Sequence, residues 1–201
     1  MKIAMFGGSF NPIHTGHIQL AQAFVKRLGL DKVLIIPTFI PPHKHCDNSV
    51  SPQARLEMCR LAVKNLPFAE VSDIEIKRGG ASYTYLTLEE LSEKYKNDEL
   101  FLITGADMFM SIHTWKHPEI IFSLATICGV PRNDDDIKNL QKQSEYLKTL
   151  NAKTEILDVS LMTVSSTEIR NKIKNGEDFS TLVPPEVENY IIENKLYKEK
   201  S

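Results

Sequence analysis

The chain has 201 residues, enough for one well-buried core, and its length predicts a single domain over residues 1–201. Its 42% hydrophobic and 25% charged residues match an ordinary soluble globule. Lys+Arg 24 against Asp+Glu 26 leaves a formal charge of −2, so no global basic field points to nucleic acid or an anionic membrane, and phosphate binding must be local.

In chain order, the apolar run Lys2–Phe6 predicts a strand, and the amphipathic stretch ending at Leu28 predicts a helix over His17–Leu28. Between them stands Gly7-Gly8-Ser9-Phe10-Asn11-Pro12-Ile13-His14-Thr15-Gly16-His17. Glycines let the backbone turn sharply and approach a ligand, and the N–H groups of a helix start attract anions. Histidines held there can donate hydrogen bonds to phosphate oxygens. The segment is neither the Gly-x4-Gly-Lys-Ser/Thr of a P-loop nor the Gly-x-Gly-x-x-Gly of a dinucleotide fold. Asn11 reads as a turn residue whose short side chain bonds nearby backbone.

Further strands are predicted at Val33–Pro37, Glu70–Ile76, Leu100–Thr104, Ala125–Val130 and Glu155–Val159. Helices are predicted between them at Pro52–Asn65, Tyr83–Lys96, Asp107–Ile112, Pro118–Phe122 and Ile137–Thr149, with Ser166–Lys174 and Pro185–Glu193 closing the chain. Asn133–Asp136 reads as a solvated turn opening a helix. The continuous run Val33-Leu34-Ile35-Ile36 indicates a sheet covered on both faces. Strand–helix alternation of this kind predicts an α/β fold with a doubly wound parallel sheet and C-terminal helices. Ligands of such sheets bind beyond the carboxyl ends of strands where strand order reverses. If the first strand and Leu100–Thr104 flank that point, the glycine turn meets Thr104-Gly105-Ala106-Asp107. Asp107 could then accept from ribose hydroxyls, the alternative being a helix N-cap.

Near the C-terminus, Ser165 and Glu168 of Val164-Ser165-Ser166-Thr167-Glu168-Ile169-Arg170 read as a capping box. Three hydroxyls at a helix start, with a cation one turn in, also make a cradle for polyphosphate.

The His14-Thr15-Gly16-His17 motif resembles the His-x-Gly-His signature of the nucleotidylyltransferase superfamily, whose members pair it with a late Ser-Ser-Thr-x-Ile-Arg. Ile40-Pro41-Pro42-His43-Lys44, Arg78-Gly79-Gly80-Ala81-Ser82-Tyr83-Thr84-Tyr85, Gly105-Ala106-Asp107-Met108 and Trp115 extend the likeness. Over its whole length the chain resembles the bacterial nicotinate-nucleotide adenylyltransferases. The commonest motif has Asp where this chain has Asn11, and an aromatic residue often follows the tryptophan where this chain has Lys116.

The resemblance implies a Rossmann-like nucleotidylyltransferase fold and transfer of the adenylyl group of ATP to nicotinate mononucleotide, with Mg²⁺ carried on the ATP phosphates. It implies that Gly8, Ser9 and Phe10 line the ATP turn, and that His14 and His17 contact the phosphates, His17 nearest the reacting centre. Ser165, Ser166, Thr167 and Arg170 would hold the β- and γ-phosphates, and Gly105 and Asp107 the adenosine ribose. His14, His17 and Arg170 are the expected catalytic set. Thr84, through its backbone, and Trp115, by stacking, would hold the nicotinate. Lys44 lies on a Pro-rich loop that could close on phosphate, its alternative being a solvated lysine, and Arg132 could reach the nucleotide.

No dedicated metal site is expected. His43-Lys44-His45-Cys46 lacks zinc-site spacing, and His113 and His117 could share a helix face but read as surroundings of Trp115. Cys46, Cys59 and Cys128 are widely spaced, the N-terminus enters a strand directly, and no apolar run reaches the roughly 18 residues of a membrane span. These features predict a cytoplasmic protein binding no nucleic acid or membrane, and they leave homo-oligomerisation open. Open too are another phosphorylated acceptor, a nucleotide sensor without turnover, and a metal-binding module.

Overall fold

The structure, a computed structural model, describes residues 1–41, 50–131, 134–158 and 164–198, with 134 and 135 described by backbone alone. Among the described residues, six strands, β1 (Lys2–Gly8), β2 (Lys32–Pro37), β3 (Ala69–Val71), β4 (Glu99–Gly105), β5 (Ala125–Val130) and β6 (Thr154–Ile156), form one sheet in the order β3-β2-β1-β4-β5-β6. Every pairing is parallel. The helices are α1 (Thr15–Leu28), α2 (Pro52–Val63), α3 (Ile74–Arg78), α4 (Thr84–Lys94), α5 (Ala106–Ser111), α6 (Pro118–Leu124), α7 (Asp134–Thr149), α8 (Ser166–Asn175) and α9 (Pro185–Glu193), with a 3₁₀ turn over Ile112–Thr114. Among the described residues, no helix is long and apolar enough to cross a membrane.

The period-two geometry of strands sorts the side chains into two cores. Ala4, Phe6, Val33, Ile35, Phe101 and Ile103 pack with apolar residues of α1, α2, α8 and α9. Ile3, Met5, Leu34, Ile36, Leu100 and Leu102 point the other way, against α4, α5, α6 and α7. A sheet apolar on both faces has no solvated side, which is why its central strands read as unbroken runs.

One close approach requires a glycine. A Cβ on Gly129 of β5 would stand 2.6 Å from Cδ2 of Phe109, whose ring is fully buried. Its absence lets α5 lie close on the sheet just past the end of β4.

Two predicted strands are shorter than expected. Of Glu70–Ile76, only Glu70 and Val71 are strand, and Ile74–Arg78 is helix. β3 pairs with β2 alone, and its ladder ends where Ser72 N–H donates to the Ile35 carbonyl. Lys77 N–H then donates to the Asp73 carbonyl while its Nζ lies 3.1 Å from the Asp73 carboxylate, closing a helical turn. The later part of the predicted strand is thus the start of a helix. The last strand covers Thr154–Ile156 rather than Glu155–Val159, and Val159 lies outside the described residues. The turn expected over Asn133–Asp136 is helical from Asp134 onward.

Candidate active site

Strand order reverses between β1 and β4, and the loops leaving their carboxyl ends face one another there. A cavity of about 330 Å³ occupies this seam. Gly8, Ser9, Phe10 and His17 line it from the β1 side, Gly105 and Met108 from the β4 side, and Thr84, Trp115 and Lys116 from the far wall.

The turn after β1 is held open by its own side chains. Phe10 adopts φ 43, a left-handed backbone that costs a non-glycine residue strain of about 1–3 kcal/mol. Its buried ring meets Phe6 edge-on at 5.5 Å and His17 at 5.0 Å, so the surroundings determine the turn. His14 is the N-cap residue of α1. Its ring stacks on that of His17 with centroids 3.6 Å apart.

Two imidazoles so close cannot both carry charge. Burial pushes His14 down to about 4. Burial, and secondarily the neighbouring His14, holds His17 well below the usual histidine range. His17 Nδ1 accepts the His14 backbone N–H at 3.2 Å, so the neutral ring carries its proton on Nε2. His14 Nδ1 is buried without a hydrogen-bond partner.

The late motif docks beside this turn. Ser166 Oγ donates to the Pro12 carbonyl at 2.9 Å, and Arg170 Nη1 donates to the Asn11 carbonyl at 2.8 Å. Arg170 Nη2 also donates to Thr167 Oγ1 at 3.2 Å. Ser165 caps α8 by accepting the Glu168 N–H at 3.1 Å, while the exposed Glu168 carboxylate does not return the contact of a full capping box. Segments more than 150 residues apart therefore share one site. Ser165, Ser166, Thr167 and Arg170 flank the turn without lining the cavity, as does His14. Asp107 is exposed in the first turn of α5; Gly105, not Asp107, takes the cap position.

On the opposite wall, Gly79 and Gly80, at φ 70 and 68, swing the chain out of α3. Ala81 then bridges to Ile40, and Ser82, Tyr83 and Thr84 start α4 facing the cavity. Lys116 Nζ sits 4.6 Å over the Tyr83 ring, and Trp115 Nε1 donates to Ser111 Oγ at 3.4 Å. His113 and His117 do not share a helix face. His117, at φ 52, precedes α6 beside Tyr85 and Glu119, whereas His113 Nδ1 meets Gln143 of α7. Lys44, Arg132 and the His43–Cys46 cluster lie outside the described residues.

Sequence reasoning missed two buried charged side chains, one behind the cavity and one in its wall. Arg55 is 4% exposed and grips backbone carbonyls of Ser9, Thr38 and Phe39. Its signal was its spacing from Cys59 and Ala62, which sets it on the buried stripe of α2. Glu75 lines the cavity at 2% exposure and accepts from Thr87 Oγ1 at 2.8 Å, and burial raises its carboxyl above the usual range. Its only signal was an acid between two isoleucines in a segment misread as strand.

A family model described as Cytidylyltransferase-like matches residues 5–172. A protein named probable nicotinate-nucleotide adenylyltransferase from Clostridium novyi (strain NT) is 39% identical over 198 residues, covering 98% of this chain and 99% of that protein. One of the same name from Fusobacterium nucleatum subsp. nucleatum is 43% identical over 192 residues, covering 95% and 97%. Among solved structures, Plasmodium falciparum nicotinic acid mononucleotide adenylyltransferase complexed with NaAD has the same fold, with a TM-score of 0.79 at 18% identity, covering 98% of this chain and 97% of that one.

Proposed function

The chain belongs to the nicotinate-nucleotide adenylyltransferase family, and from that premise we propose that it transfers the adenylyl group of ATP to nicotinate mononucleotide, releasing pyrophosphate and serving NAD biosynthesis. The observation that carries this reading is one continuous cavity running from the glycine turn and His17 to Thr84 and Trp115 across the seam. Residues 1–201 act as one domain in this reading. A cytoplasmic setting suits the free buried thiols of Cys59 and Cys128.

The acceptor phosphate is already an anion, so it attacks the α-phosphorus without a base. A new P–O bond forms as the bond to the pyrophosphate oxygen breaks. The protein's task is alignment and charge stabilisation. His17 donates its Nε2 proton in a hydrogen bond to a phosphate oxygen, and neutral His14 buttresses it by stacking. Ser9 lines the turn on the α-phosphate side. Ser165, Ser166, Thr167 and Arg170, docked beside the turn, take the β- and γ-phosphates, while Gly105 and Asp107 take the ribose. Lys44, which lies outside the described residues, is assigned to phosphate by the family resemblance.

Among the described residues, no group of three or more His, Cys, Asp or Glu gathers that could hold a metal ion. The donors around the turn are N–H and hydroxyl groups, a set that suits phosphate oxygens. Mg²⁺ held by ATP and water would supply neutralisation of the leaving pyrophosphate.

Trp115 stacks on the pyridine ring, and N–H donors near Thr84 meet its carboxylate. Lys116, resting on Tyr83 beside Thr84, adds positive charge at that end. A carboxamide would set its own NH₂ donors against that array, at about 1–3 kcal/mol for each mismatch. The test is pyrophosphate release from ATP with a panel of mononucleotides. Nicotinate mononucleotide is expected to exceed nicotinamide mononucleotide by about 10² in kcat/KM. Lys116→Ala narrows that gap if its charge contributes. Equal kcat/KM values overturn the acid preference, and no release with any acceptor overturns the transfer reading.

A further inference from the structure

Arg55 stands on α2, and its guanidinium reaches the two chain segments that leave β1 and β2, which are joined there by the Thr38 N–H donating to the Gly8 carbonyl at 2.9 Å. Nη1 donates to the Ser9 carbonyl at 2.7 Å. Nη2 donates to the Thr38 carbonyl at 2.6 Å and to that of Phe39 at 3.3 Å. Ser9 belongs to the phosphate turn. Phe39 leads to the acceptor wall, where its N–H donates to Ser82 Oγ at 2.9 Å and where Ser82 N–H donates to the Ile40 carbonyl at 2.8 Å. A buried charge costs several kcal/mol of desolvation, more than an apolar filler of the same volume would. What the filler could not do is hold carbonyls from two chain segments at a set separation. A planar fork with two donor nitrogens can, whereas an ammonium ion acts from one point.

We infer that Arg55 is a positioning residue of the transfer reaction: by gripping Ser9 together with Thr38 and Phe39, it fixes the distance between the phosphate turn and the acceptor wall, so that the two bound substrates meet in line. This inference rests on the transfer reading above. Each substrate contacts its own wall, so loosening the grip leaves single-substrate binding intact and misaligns the pair. The loss falls on kcat.

Full-length Arg55→Lys keeps the charge and loses the span; Arg55→Gln keeps one donor group and loses the charge. Thermal unfolding establishes which variants are folded. Titration with a non-hydrolysable ATP analogue, and separately with nicotinate mononucleotide, gives each Kd, and steady-state assays give kcat. A folded Arg55→Lys is expected to hold each Kd within about 3-fold while kcat drops about 10²-fold, the scale of a 1 Å misalignment. An active unmodified protein with an equally active Arg55→Lys overturns the inference alone, as does a loss confined to one Kd. If neither Arg55 variant folds, Ser82→Ala releases Phe39 at its other anchor and is expected to give the same kcat loss; an unchanged kcat overturns the inference. No pyrophosphate release from the unmodified protein overturns the transfer reading, and this inference with it.

Discussion

The phenol of Tyr197 donates to Oδ1 of Asn11 at 2.7 Å, joining the described end of the chain to the turn that carries the histidines. Both side chains are buried, and Arg170 holds the carbonyl of the same asparagine. Asn11 is therefore anchored by tertiary contacts, beyond the local backbone bonding its turn position suggests. Tyr197→Phe removes the donor while keeping the ring. It is expected to lower stability by about 1–2 kcal/mol, because a buried acceptor loses its partner. Urea denaturation should show a lower midpoint at constant slope, with a raised KM for ATP. An unchanged midpoint would remove Tyr197 from the architecture of the turn.

Acid should act on this turn through His14. Its folded value is about 4, below the ordinary 6.5. Between those values the unfolded chain binds more protons, so stability rises with pH across the window. The contribution is complete above pH 6.5 and is lost as pH falls toward 4. A difference of that size is worth about 3 kcal/mol. His14→Gln should flatten the acid limb of a stability–pH profile, and parallel limbs for the two proteins would contradict this.

Replacing His17 by alanine should separate catalysis from folding. His17 lines the cavity, and in the proposed complex its Nε2 proton meets a phosphate oxygen. His17→Ala is expected to reduce kcat by about 10²–10³. Near-normal turnover by the folded variant would end the proposed phosphate role.

Gly129→Ala tests the close packing of α5. The added methyl would enter the space of the Phe109 ring, at an expected cost of about 1–3 kcal/mol. In a Phe109→Leu background the same substitution should cost less. Strictly additive costs would show that ring and methyl do not compete.

Much of this was readable in the residues. The strand and helix order followed from apolar runs and turn signals, because a sheet buried on both faces leaves long unambiguous segments. The glycine turn and the late Ser-Ser-Thr helix were both visible, but their meeting is a tertiary fact carried by Ser166 and Arg170. Arg55 and Glu75 escaped because a buried charge looks like a surface charge until its partners are known. The edge segment after Glu70 failed for another reason: a short stretch with Val71, Ile74 and Ile76 fits a strand, and only the short β3 ladder decides otherwise.

The strand order also divides the polypeptide. Everything up to Lys94 supplies β3, β2 and β1, and everything from Glu99 supplies β4, β5 and β6. Gly8, His17 and Thr84 come from the first portion, Gly105 and Trp115 from the second. A nick in the partly exposed connection at Tyr95–Asp98 would leave two fragments, neither holding a complete binding surface. The second would still return α8 and α9 to the core shared with α1 and α2. Turnover would then depend on the two pieces finding each other, making this fold a built-in reporter of fragment association.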